Sequence, residues 1–162
     1  MAALRDCFSE YALIKFRILV ECRWLQMLSA TTAVSEVPQF SDTANHLIDS
    51  FCEDVTLQIA QEVKHIERTT NHDVKAVEYV LKTRLSHDPE LKVIMEFVHF
   101  ACTSEDINNL SHALMLQQAR DEEILPLMDE LIEQTCSMAE AFAGADFITC
   151  ARRQSLCSAH IG

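Results

Sequence analysis

Glycine and proline are nearly missing from this chain, with 2 and 3 copies among 162 residues. That scarcity argues against sandwiches and barrels, which need frequent tight turns, and against Gly-rich nucleotide loops. No CxxC pair, GxSxG or HExxH occurs, so the common zinc, serine-hydrolase and metalloprotease words are absent. Basic residues are few: 13 Lys and Arg stand against 25 Asp and Glu, for a net charge of -12. Such a field repels nucleic-acid phosphates and anionic lipid, so neither is an expected partner. It leaves room for a small anion held by a few local donors. No apolar run is long enough to span a bilayer, and Arg5, Asp6, Glu10 and Lys15 interrupt any signal-like start.

What the chain has is apolar surface for a core: 49% of residues are hydrophobic and 23% charged. Disorder is excluded on that balance, and the length suits one domain or one domain and part of a second. The seven cysteines are odd in number and read as buried free thiols of a reducing, cytoplasmic compartment.

Apolar spacing predicts an all-α fold, because no stretch alternates convincingly with the period of a strand. A long helix is expected over residues 5–31, with Phe8, Ala12, Phe16, Leu19, Val20, Trp24, Met27 and Leu28 on its stripe. Ser41 and Asp42 should cap a second helix, running to about residue 63. A polar lapse follows at 67–73, then a helix from Val74 that His87-Asp88-Pro89 stops. Thr70 and Asp73 have the spacing of a capping box for it. A shorter helix is expected over 90–100. Thr103-Ser104-Glu105-Asp106 then opens a long helix reaching Phe142, with Leu110, Leu114, Ile124, Met128, Leu131, Met138 and Phe142 as a bundle-type stripe. Pro126 should kink it.

The two polar breaks, 70–73 and 103–106, place small hydrogen-bonding residues at helix starts, where free N–H groups suit an anion. Asn71 and His72 add side-chain donors, and Thr103 and Ser104 add hydroxyls. Spacing alone favours plain capping over an anion pocket. His99 and Cys102 have a metal-compatible spacing, but two ligands do not make a zinc site, and a core pair is the better reading.

The words of these breaks go further. The run Arg68-Thr69-Thr70-Asn71-His72-Asp73-Val74-Lys75-Ala76-Val77-Glu78-Tyr79 closely resembles the bacterial adenylosuccinate lyase family. So does the run Phe100-Ala101-Cys102-Thr103-Ser104-Glu105-Asp106-Ile107-Asn108-Asn109-Leu110-Ser111-His112-Ala113-Leu114. Phe8-Ser9-Glu10-Tyr11 and Val20-Glu21-Cys22-Arg23-Trp24-Leu25 look like the same family, and the likeness covers about residues 3–146. The resemblance implies the aspartase/fumarase superfamily, a homotetramer around a bundle of long helices. It implies an N-terminal helical domain over 1–102, with a substrate segment at 69–75, and the start of the central bundle over 103–146. The implied reaction releases fumarate by β-elimination from adenylosuccinate, giving AMP, and from SAICAR, giving AICAR, in purine nucleotide biosynthesis. No cofactor or metal is implied. Residue by residue, Asn71, His72 and Asp73 match the family's NHD substrate segment, and Thr103 and Ser104 match the hydroxyl pair that contacts the succinyl part. Lys75 reads equally as a substrate-side charge or a solvent-facing lysine.

The departures matter as much. The family's Thr-His-Gly-Gln-Pro-Ala word, which carries the general acid, should follow Ala145-Asp146. Residues 147–162 instead diverge, and His160 has the wrong neighbours to replace that acid. The family's catalytic-loop Ser and its Asp-Gly-Arg-Tyr segment do not occur in the sequence either. The expectation is an N-terminal fragment with part of the substrate site, no catalytic group, and no lyase activity alone. The divergent tail reads as a frameshift or mis-splicing; coding DNA lacking Thr-His-Gly-Gln in its other frames would sink that idea. The alternative is a non-enzymatic helical self-association module working through the 106–142 stripe. A metal or thiol protein is a weaker third reading.

Overall fold

The computed structural model describes residues 4–31 and 34–144. The call on the tail, residues 147–162, lies outside them. All regular structure among the described residues is helical, as the spacing predicted. The chain falls into two compact units, residues 1–120 and 121–162.

The first unit holds α1 (Arg5–Phe8), α2 (Glu10–Ala30), α3 (Asp42–Glu53), α4 (Leu57–Thr70), α5 (Asp73–Leu85), α6 (Pro89–Ile94) and α7 (Ser104–Ala119). A 3₁₀ turn, Met95–Phe97, follows α6. Helix α2 is the axle of the unit and packs against α3, α4, α5 and α7. Its apolar residues bury on several sides, including Ile14, Phe16, Ile18, Val20, Leu25 and Leu28. A helix apolar nearly all round belongs in the middle of a packed unit. The main core joins Ile14, Ile18 and Leu25 to Ile48, Val63, Val77, Leu81, Leu91 and Ile94. A smaller cluster, Val20, Val74 and Ile107, ties α2 to α5 and α7.

Caps correct several expected boundaries. The helix expected over 5–31 breaks at Ser9, which is extended and whose side chain accepts from the Ala12 amide. Phe8 and Met27, expected on the buried stripe, are exposed. Ser41 does cap α3, but that helix ends at Glu53, and Thr56 caps a separate α4 by accepting from the Ile59 amide. A hydroxyl that satisfies a free N–H can start a new helix where apolar spacing alone would run through. The lapse expected from 67 comes later, since α4 continues to Thr70. The cap of α5 is His72, not Thr70. Asp88 caps α6 with Pro89 in its first turn, and α6 gives way to 3₁₀ geometry instead of running to 100.

A π-helical turn, Arg120–Ile124, replaces the regular α-helix expected through this stretch. It lies just ahead of Pro126, whose missing donor is the local reason for irregular hydrogen bonding. The second unit contains α8 (Leu125–Phe142), with Pro126 in its first turn. No residue of α8 is buried, and the expected stripe residues Met128, Leu131, Met138 and Phe142 are exposed.

Candidate functional site

The two polar breaks meet, although they are far apart in sequence. His72 Nε2 lies 3.5 Å from Ser104 Oγ, across 32 positions. The starts of α5 and α7 therefore face one gap within the first unit. The small Val20–Val74–Ile107 cluster supports it, with each residue on one of the three helices concerned.

Every residue singled out has a local structural task as well. Asn71 ends α4 in the left-handed region, at φ 53°, and donates its amide to Glu67 O at 2.8 Å. Asn tolerates that geometry better than most residues. His72 is the N-cap of α5, its Nδ1 accepting from the Lys75 amide at 3.1 Å. An accepting Nδ1 carries no hydrogen, so the ring proton is on Nε2, the nitrogen turned to Ser104. Thr103 caps α7, as the break suggested, and does so through a full capping box with Asp106. Its hydroxyl donates to Asp106 Oδ2 at 2.8 Å, and its amide donates to the same oxygen at 2.7 Å. Those bonds hold the exposed Asp106 carboxyl below its usual range. Ser104 thus offers the hydroxyl that faces His72, while that of Thr103 is turned to its own cap.

Spacing did not single out two charged residues of α2. Arg17 is 4% exposed, and its Nη2 lies 2.5 Å from Asp73 Oδ2. Its Nε donates to Asn108 Oδ1 at 3.0 Å. One guanidinium therefore joins the start of α5 to α7. Burial pushes the Asp73 carboxyl up, but the Val74 amide and the Arg17 guanidinium outweigh it and hold it below the carboxylate range. One turn further along α2 sits Glu21, 1% exposed, whose Oε1 lies 2.6 Å from His99 Nδ1. Burial raises the Glu21 carboxyl despite His99. In sequence the two are spaced i, i+4 on α2, a pattern that fits an ion pair on a solvated face equally well.

Lys75 resolves toward neither reading. Its Nζ bonds Glu78 at 2.7 Å and sits 5.6 Å from the centre of the Tyr79 ring. Lys82 reaches the same buried carboxylate at 3.0 Å. The expected His99–Cys102 core pair divides: His99 engages Glu21, and Cys102 packs against the small cluster. Among the described residues, no group of three or more His, Cys, Asp or Glu could hold a metal. Cys22 and Cys52 are buried free thiols and Cys7 is buried, while Cys136 is exposed. Cys150 and Cys157 lie outside the described residues, as does His160.

A cavity of about 630 Å³ lies elsewhere, between α4 and α5, lined by Gln58, Glu62, His65, Thr83, Arg84 and His87. Glu62 and Arg84 already pair there at 2.8 Å.

Comparison with known proteins agrees with the sequence words. A family model described as lyase matches residues 1–150. The adenylosuccinate lyase of Haemophilus influenzae is 55% identical over 139 residues, which is 86% of this chain and 30% of the relative. The adenylosuccinate lyase of Escherichia coli K12 is 57% identical over 133 residues, 82% of this chain and 29% of the relative. That of Vibrio cholerae is 54% identical over 140 residues, 86% and 31% respectively. The chain thus spans about 30% of the length of the relatives it matches.

Proposed function

Since the chain belongs to the lyase family, we propose that it carries part of the substrate site of an adenylosuccinate lyase. The observation that supports this most directly is the meeting of His72 and Ser104 across one gap. Asn71, His72 and Asp73 form one wall and Thr103 and Ser104 the other. The substrate class is a purine nucleotide bearing a succinyl group, either adenylosuccinate or SAICAR. The products are fumarate with AMP or AICAR.

The chemistry is a β-elimination: a base takes a proton beside a carboxylate, and an acid protonates the departing nitrogen. The transition state gathers negative charge on that carboxylate, and donors already aimed at it lower the barrier. The amides at the start of α7 and the Ser104 hydroxyl are suitable donors. The Nε2–H of His72 adds one from the opposite wall. Asp73, pinned by Arg17, fixes the start of α5 and so the direction of the His72 ring. None of these groups is assigned as the proton-transferring base or acid. These residues are therefore proposed to bind and orient, and the chain alone to release no fumarate. In the whole enzyme, residues from 103 onward are proposed to enter the central bundle of a homotetramer. No helix among the described residues is long and apolar enough to cross a membrane, and we propose a cytoplasmic location.

The test is a thermal shift of the purified chain with AMP and with adenylosuccinate. A ligand that binds only the folded state raises the melting temperature. The expected result is a shift that His72→Ala abolishes. A folded chain with no shift for either ligand would refute a preformed half-site. Fumarate released by the chain alone would refute the assignment of binding without chemistry.

The exposed apolar residues of α8 favour a second reading, self-association without catalysis. A defined oligomer with no nucleotide affinity would support it.

A further inference from the structure

We infer that Glu21 is a positioning residue: through His99 it holds the turn that sets Ser104 opposite His72. This rests on reading residues 71–73 and 103–104 as a substrate half-site, and the experiment below separates the two ideas.

The turn leading into α7 is backbone-strained. His99 has φ 65° and Ala101 has φ 58°, both in the left-handed region. Residues with a Cβ pay to enter it, and no glycine relieves the turn. Such geometry persists only where the surroundings over-determine it. Here α2 supplies two anchors three positions apart. Glu21 Oε1 grips His99 Nδ1 at 2.6 Å, and Trp24 Nε1 donates to Phe100 O at 2.8 Å. The His99 carbonyl in turn accepts from the Cys102 amide at 3.2 Å, immediately before the Thr103 cap. A short chain of bonds thus runs from Glu21 through His99 to the start of α7.

The carboxylate itself needs explaining. The Glu21 side chain is 0% exposed, and its Oε2 is buried with no hydrogen-bond partner. A buried charge is costly, and an apolar side chain of similar size would serve the core better. What the carboxylate does that an apolar residue cannot is grip His99. Arg17 precedes Glu21 by one turn and fixes the opposite wall through Asp73. The buried charges of α2 therefore form a jig, with Arg17 setting α5 and Glu21 setting the entry to α7.

The experiment compares the chain with Glu21→Gln, His99→Asn and the double variant. Two readouts are used: amide and histidine-ring NMR without ligand, and AMP titration. Positioning predicts that the single variants remain folded while the Thr103 and Ser104 amides and the His72 ring signals move. AMP binding should weaken by about tenfold, as loss of one well-placed hydrogen bond to the ligand would cause. The double variant should be no worse than the more affected single one, because both break one link. Folded variants whose 103–104 and His72 signals match the parent overturn the inference. So does loss of the fold in both single variants, which would make the pair a core strut. If the parent takes no AMP, the substrate reading fails, but the ligand-free spectra still decide the role of Glu21.

Discussion

The two units treat similar side chains in opposite ways. In residues 1–120, Ile14, Ile18, Leu25 and Ile48 are almost wholly enclosed. In α8, Leu127, Leu131 and Met138 are each about 60% exposed or more. Both sets sit on well-formed helices, so local preference does not explain the difference. Packed neighbours do: α2 has partners on several sides, and α8 buries nothing. A helical apolar stripe states that a partner is wanted, and only neighbouring structure shows whether one is present.

The sharpest way to break this comparison is to truncate one residue from each set. Ile48→Ala should cost about 2–5 kcal/mol, read as a lower denaturant midpoint, because it empties a filled core site. Leu131→Ala should change stability by under about 0.5 kcal/mol in the same chain. Equal costs would mean that α8 is covered in solution. Sedimentation of Leu131→Glu sharpens the point, since a fall in mass relative to the parent would identify the stripe as the contact between copies.

The next effect falls on the site's scaffold. Arg17→Met should cost about 2–3 kcal/mol, because Asp73 and Asn108 each lose their charged partner. No counterpart for such a loss is expected in α8, whose charged residues are all acidic and exposed, so substituting them should change stability by under about 0.5 kcal/mol.

Acid should also act through the first unit. Burial tends to raise Glu78, but Lys75 and Lys82 outweigh it and hold its carboxyl down, as Arg17 and the Val74 amide do for Asp73. A depressed carboxyl contributes stability above its unfolded value, near about pH 4, and loses it as pH falls through the folded value. The melting temperature should therefore drop between about pH 5 and about pH 3. Arg17→Met should blunt that drop. Glu21 is raised by burial, so it has the opposite sign: its contribution is fullest below the unfolded value and is lost as pH rises through the folded one.

The smallest effect is at the cap. Thr103→Ala should cost about 1 kcal/mol, by freeing the Asp106 amide and carboxylate. Thr103→Ser should restore it. If Thr103→Ala leaves stability unchanged but weakens AMP binding, the hydroxyl serves the ligand and not the helix.

Much of the site was legible. Type and position mark the breaks at 70–73 and 103–106 as helix ends with capping chemistry, and the family resemblance is what singles out Asn71, His72, Asp73, Thr103 and Ser104 as substrate residues. Their capping and binding readings, posed as rivals, turn out to be compatible: His72 caps α5 with Nδ1 while Nε2 faces Ser104. Boundaries were less legible. Ser9 and Thr56 divide helices that apolar spacing ran together, since a single hydroxyl bond outweighs periodicity over one turn. Arg17 and Glu21 carry no such mark, because a charge within a helix looks the same in sequence whether it meets water or a buried partner.

By itself, the sequence determined the helical class, the caps at Ser41 and Thr103, and two site words specific enough to indicate a lyase. The class and the caps rest on short-range chemistry, in which a residue and its near neighbours settle the outcome, while the lyase reading rests on the resemblance of the two words to a known family. The tertiary structure decided that the two words face each other, that α2 holds both with buried charges, and that the α8 stripe is bare. Those outcomes depend on contacts between distant segments, whose free energy comes from burial and pairing that no local pattern encodes.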